Sequence, residues 1–213
     1  MNDNWSINTL PILKEENYNI AWSETWSSIN EIGHMYQDHI FTYKEYKKTE
    51  QSFINFFIEL FKYVHAHKVK IIQLKKNRFP VNATYDRKGV LRTWYDRIVN
   101  NMSVNLDDLQ YIVPLILREN IWGTLYHKKS KTYIHFGYDY FVYVNSPLFH
   151  YRKGVEGYLN VDFEKLVFGN GLYIDYEAIR VTQKLTGHDY AEFLEREHET
   201  VEGYYCIKND NNV

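Results

Sequence analysis

A single cysteine, Cys206, stands among 213 residues. No disulfide can close within the chain, and a cysteine-based zinc site is excluded. Long apolar runs are missing too. No segment approaches the run of about 18 apolar residues that a membrane-spanning helix needs. The start, Met1-Asn-Asp-Asn-Trp-Ser6, lacks the basic and apolar stretches of a secretory leader. A cytoplasmic protein without a membrane partner is expected. Catalytic signatures are equally absent: there is no Gly-x-Ser-x-Gly elbow, no Walker loop and no His-Glu-x-x-His string. Internal repeats and low-complexity linkers are not found either, which points to one continuous α+β domain over residues 1–213.

What is present is a large apolar and aromatic fraction. Hydrophobic residues make up 45% of the chain, enough for a sizeable core, and 20 are tyrosines. Tyrosine combines area, few rotatable bonds and a hydroxyl, properties suited to protein contacts as well as to packing. The net charge of -2 conceals a division along the chain. Residues 60–100 carry 10 Lys or Arg against Asp86 and Asp96, whereas 155–199 carry 4 basic and 10 acidic residues. Residues 1–59 are also acidic, with 9 Asp or Glu against 4 Lys. Such asymmetry marks either surfaces with different partners or surfaces that neutralise each other within the fold.

The expected architecture is a helical amino-terminal half packed on a mainly antiparallel sheet, with further helices near the carboxy terminus. An amphipathic pattern predicts a helix over 21–37 with Trp22, Trp26, Ile29 and Tyr36 near one face. Thr42-Tyr-Lys-Glu45 matches a capping box and opens a helix to about His67. Its apolar residues Phe53, Phe56, Phe57 and Leu60 follow the helical period, and Ile54, Ile58 and Phe61 fill other faces, so it should be central. A strand is expected over Val69–Leu74, a helix over Val90–Val99 and a helix start at Asn105-Leu-Asp-Asp108. Pro114 should kink or end that last helix, leaving 115–119 as a separate turn. Ile121–Tyr126 and Tyr133–Val144 read as a hairpin. Strands are expected over 158–163 and 166–174 around a Gly169-Asn-Gly171 turn. Helices follow to Leu185 and over 189–198, with a last strand over 203–208.

Alternation divides Tyr133–Val144, taken as one unbroken strand, into an apolar face and a mixed one. Ile134, Phe136, Tyr138, Tyr140, Val142 and Val144 share the first; Tyr133, His135, Gly137, Asp139, Phe141 and Tyr143 share the second. His135 and Asp139 lie about 13 Å apart on such a strand, too far for an acid-base pair. A bulge at Gly137 would instead place them on opposite faces. Asp139 reads as a contact residue or a buried, hydrogen-bonded carboxylate rather than a general base. His65 and His67 lie about 200° apart on a helix, which does not suit a shared metal ion. No cofactor or metal site is expected. Lys62–Arg97 interleaves cations with Tyr63, Phe79, Tyr85, Trp94 and Tyr95, a mixture able to hold single-stranded nucleic acid. The acidity elsewhere repels phosphate and argues against nucleic acid as the partner.

Leu115-Ile-Leu-Arg-Glu-Asn-Ile-Trp122 followed by the aromatic run from Tyr133 resembles small immunity proteins of bacterial polymorphic-toxin and contact-dependent inhibition systems. The likeness covers roughly residues 105 to 145 and carries no catalytic motif. It implies a non-enzymatic, antitoxin-like protein that neutralises a cognate toxin domain, often a nuclease, by stoichiometric binding. Candidate contacts under that reading are Tyr138, Asp139, Tyr140 and Tyr143, with Asp162, Glu164, Asp175 and Glu177. Acidic and aromatic groups suit a basic nuclease, because charge raises the encounter rate and buried rings slow dissociation. Two alternatives remain: a small hydrolase or nuclease assembled from distant His and carboxylate residues, and a nucleic-acid-binding accessory protein using residues 62–97.

Overall fold

The computed structural model describes residues 4–8, 28–36, 38–77, 81–136, 142–146 and 161–175. The expected strands over 203–208 and helices after 175 lie outside these residues, as do 9–27. Seven antiparallel strands form the main sheet: β1 (Asn4–Asn8), β4 (Lys68–Lys76), β5 (Ser103–Asn105), β6 (Ile121–His127), β7 (Thr132–Phe136), β8 (Val142–Asn145) and β9 (Tyr173–Asp175). Their spatial order is β5-β4-β6-β7-β8-β1-β9. A separate two-stranded ribbon pairs β2 (Met35–Tyr36) with β3 (His39–Ile40). Four helices complete the description: α1 (Tyr43–Tyr63), α2 (Val90–Arg97), α3 (Leu109–Leu117) and α4 (Val161–Gly169). The class is α+β, with the long helix of the amino-terminal half packed on an antiparallel sheet.

Helix α1 is central because its apolar residues wrap most of its circumference. Phe53, Phe56, Phe57, Leu60 and Phe61 are all buried. Phe57 meets Phe136 of β7 edge to face at 5.2 Å, and Phe56 meets Phe163 of α4 at 6.2 Å. One helix thus ties the sheet to α4. The capping box at its start forms as expected: Glu45 N–H donates to Thr42 Oγ1 at 3.3 Å, and Thr42 N–H donates to Glu45 Oε2 at 2.8 Å. The Thr42 hydroxyl, which donates to Glu45 Oε2 at 2.7 Å, and the Thr42 N–H hold the Glu45 carboxyl below its ordinary pKa, with His39 adding to the effect.

The helix ends sooner than expected, at Tyr63. Ala66 N–H donates to Phe61 O at 2.8 Å and His65 N–H to Lys62 O at 2.9 Å, the pair of bonds that closes a Schellman turn. His65 occupies the left-handed position at φ 56°. Helix α3 ends in the same way, with Glu119 at φ 57° and bonds from Asn120 N–H to Leu115 O and Glu119 N–H to Ile116 O. It also runs through Pro114, so residues 115–117 belong to the helix rather than to a separate turn.

Two further expectations are corrected. Residues 29–31 form a 3-10 turn and 35–36 a strand, not the end of an amphipathic helix. Gly33, at φ 95°, lets the chain turn so that its N–H reaches Phe41 O at 2.9 Å. Residues 161–163 and 166–169, expected within two strands, instead belong to α4, where Phe163 and Val167, one turn apart, are buried. Alternation and helical spacing coincide over so short a run, and packing against Phe56 selects the helix. Of the second expected strand, 166–174, only residues 173 and 174 are extended, within β9.

Tyr133–Val144 is not one strand. β7 stops at Phe136 and β8 returns beside it, with Ile134 opposite Val144 and Phe136 opposite Val142. Each pair joins two even or two odd positions, so the reversal preserves the division into faces. Ile134, Phe136, Val142 and Val144 all belong to the core, as alternation predicted.

Candidate functional site

Halfway along α1, Glu50 sits on the buried line of Tyr46, Phe53 and Phe57. Its side chain is 0% exposed and is met by Arg118, 6% exposed, which follows α3 as its cap. Arg118 Nε donates to Glu50 Oε2 at 2.7 Å and Nη2 donates to Oε1 at 3.0 Å, a bidentate geometry. Its Nη1 donates to the Tyr85 carbonyl at 3.1 Å, and the guanidinium lies 5.7 Å from the centre of the Tyr46 ring. Burial alone would lower the Arg118 pKa. The bond to Glu50 and its charge outweigh that effect and hold it above the ordinary value. Lys47 Nζ, on the solvent side, makes a second ion pair with Glu50.

A cavity of about 670 Å³ opens over this ion pair, between α1, α3 and the segment leading into α2. Tyr43, Tyr85 and Tyr111 contribute rings to its lining, and Arg87 and Lys88 stand exposed on it. The Tyr43 ring lies nearly parallel to those of Tyr46 and Tyr85, with centroids 6.3 and 5.0 Å away. Tyr111 stacks on Trp94 at 5.7 Å. The loop is set by its own hydrogen bonds. Thr84 N–H donates to Asn82 Oδ1 at 2.9 Å, and the Asp86 carboxylate accepts from Leu91 N–H at 3.1 Å and Arg92 N–H at 2.8 Å. Asp86 therefore satisfies the amino-terminal end of α2, where unpaired N–H groups favour negative charge.

Part of the basic segment is engaged by its own aromatic residues. Lys76 and Arg92 lie over the Tyr95 ring at 5.2 and 5.6 Å, and Arg97 lies over Trp94 at 4.9 Å. Three of its ten cations are thereby held against the aromatic residues of α2, and Arg87 and Lys88 line the cavity. Composition flagged the segment, but the cavity itself was missed. A carboxylate at position 50 on an otherwise apolar helical stripe was the available signal, since a buried charge demands a partner.

His135 is a different matter. It is buried and its pKa is pushed down by desolvation to about 3, so the ring is neutral. Its Nδ1 lies 2.7 Å from Thr124 Oγ1, which in turn donates to Gln73 Oε1 at 3.2 Å. Gln73 reaches this position because it lies at φ 55° in a β4 bulge, where the register with β6 shifts between Ile72 and Lys75. Tyr143 is the cross-strand partner of His135.

Of the candidate contacts, Asp162 and Glu164 both lie in the first turn of α4, about 200° apart round its axis, and Asp162 is the one that meets α1. Tyr63 Oη donates to Asp162 Oδ2 at 3.3 Å, and Asn170 Nδ2 donates to Glu59 Oε2 at 2.8 Å across the same seam. Phe168 lies on the same helix and is 48% exposed. Asp175 lies in β9, at one edge of the described sheet, and Tyr143 in β8. Tyr138, Asp139, Tyr140 and Glu177 are outside the described residues. His65 and His67 follow α1 rather than lying on it. Among the described residues no three His, Cys, Asp or Glu side chains gather as metal ligands, and no helix is long and apolar enough to cross a membrane.

No family model matches the chain, and neither the curated proteins nor the solved structures yield a significant match.

Proposed function

We propose that this chain is an immunity-type binding protein of bacterial cytoplasm, a stoichiometric, non-enzymatic inhibitor of a cognate toxin domain with a basic, nuclease-like surface. The observation that carries the reading is the seam between α1 and α4. It presents Glu59 and Asp162 beside the partly exposed ring of Tyr63. Carboxylates beside an exposed ring suit a basic protein surface, with charge guiding encounter and apolar area retaining the complex. The buried, neutral His135 gives the hydrolase alternative a poor general base near pH 7.

Partners of this kind are encoded side by side, so the product of the adjacent gene is the protein to test. Affinity capture of a tagged adjacent product should retain the chain as a one-to-one complex that salt weakens. Asp162→Lys with Glu164→Lys should release it, and thermal unfolding should show a chain that is still folded though weakened at the start of α4, by about 0.3–1 kcal/mol for each charge. A stable chain that fails to co-purify, or a complex indifferent to both reversals, removes the basis for the reading.

A further inference from the structure

We propose that the cavity over Glu50 and Arg118 binds a nucleoside phosphate, either free or as the end of a nucleic-acid strand. Its volume of about 670 Å³ lies within the range of small-ligand sites. Four cations, Lys47, Arg87, Lys88 and Arg118, line it against two carboxylates. Both carboxylates are already engaged: Glu50 holds Arg118 and Lys47, and Asp86 holds the backbone N–H groups of α2. Arg87 and Lys88 have no ion-pair partner among the described residues. The surplus is therefore positive, and it lies at the exposed mouth, where a phosphate can be met without being stripped fully of water.

The second half of the ligand follows from the rings. Tyr43, Tyr85 and Tyr111 line the same cavity, and each is held by stacking on a neighbour. Tyr43 is further fixed by its hydroxyl, which donates to the Tyr85 carbonyl at 3.5 Å, the carbonyl that also accepts from Arg118. Rings fixed before binding offer flat surfaces without an ordering cost, and a planar base is the common biological anion-bearing group that uses them. An inorganic anion or an acidic peptide would use the cations and leave the rings idle. The cavity is separate from the α1–α4 seam, so this inference does not depend on the inhibitor reading.

The test titrates the intact chain with adenosine 5′-monophosphate, inorganic phosphate, a 5′-phosphorylated oligothymidylate and an oligoglutamate peptide, followed by calorimetry. Adenosine monophosphate should bind at one site, about tenfold or more tightly than inorganic phosphate. Arg87→Glu with Lys88→Glu should weaken it by about tenfold or more, since both charges are reversed at the mouth. Tyr43→Ala should reduce nucleotide affinity more than phosphate affinity. The paired control Lys128→Glu and Lys129→Glu, in the β6–β7 turn, should change neither. Competition by the oligothymidylate at the same residues identifies a strand end as the source, and its failure to compete identifies the free nucleotide. Equal affinity for phosphate and nucleotide, tighter binding of oligoglutamate, no saturable binding by a folded chain, or indifference to the charge reversals would overturn the proposal.

Discussion

Glu50 and Arg118, 68 positions apart in sequence, meet in a bidentate ion pair that joins the middle of α1 to the end of α3. The two sides of this pair are not equivalent. Glu50 has a second cation in Lys47, which reaches it from the solvent side, whereas the acceptors of Arg118 are Glu50 and the Tyr85 carbonyl.

Glu50→Gln should therefore destabilise the fold by about 3–5 kcal/mol, because it leaves a buried guanidinium without its counter-charge. Arg118→Met should cost less, since Lys47 still balances the carboxylate. Urea unfolding of the two variants measures the difference. Equal losses would show that Lys47 provides no compensation.

His135 makes stability depend on pH. Its folded pKa of about 3 lies below the ordinary 6.5, so the unfolded chain binds more protons between those values. The contribution is fully present above pH 6.5 and is lost as pH falls, at up to about 1.4 kcal/mol per pH unit for one proton. His127, also lowered by burial and by Lys129 and His67, acts with the same sign. His135→Asn should remove one proton from the slope measured between pH 6.5 and 5, leaving the share of His127. An unchanged slope contradicts the burial of the neutral ring.

The helix ends give a prediction of opposite sign. His65 and Glu119 hold the left-handed position of their Schellman turns at φ 56° and 57°, a conformation costing an ordinary residue about 1–2 kcal/mol. His65→Gly and Glu119→Gly should each raise the thermal midpoint, to the extent that relief exceeds the entropy gained by the unfolded chain. Thr42→Ala should lower it, with a loss of about 1 kcal/mol from the capping box. A lower midpoint for both glycine variants would be evidence against these turns.

The same residues explain what the sequence made legible. The capping box at Thr42 and Glu45 is written in local residue types, and the start of α1 was readable from it. Its end was not, because His65 takes a position that glycine would have announced. The faces of β7 and β8 were readable by alternation even though the reversal was not, since pairing Phe136 with Val142 keeps even positions together. Asp162 and Glu164 were singled out by charge, but the seam of Asp162 with Tyr63 depends on a helix that alternation misread as strand. The cavity required a contact spanning 68 positions, which no local pattern encodes.

Core packing supplies a further check. Phe57 is buried against Phe53, Phe56 and Phe136, where α1 meets the sheet. Phe57→Ala should cost about 3–5 kcal/mol through lost burial and the cavity left behind. Denaturant midpoints of the purified variant give the value. A loss below about 1 kcal/mol is incompatible with a fully packed site.

The inhibitor reading is tested most directly by bacterial growth. The product of the adjacent gene is expressed alone, with the wild-type chain, and with the chain carrying Asp162→Lys and Glu164→Lys. Growth should stop in the first case, recover in the second and fail again in the third, with equal amounts of both folded chains in the cells. A harmless neighbour, or full rescue by the doubly reversed chain, contradicts the account.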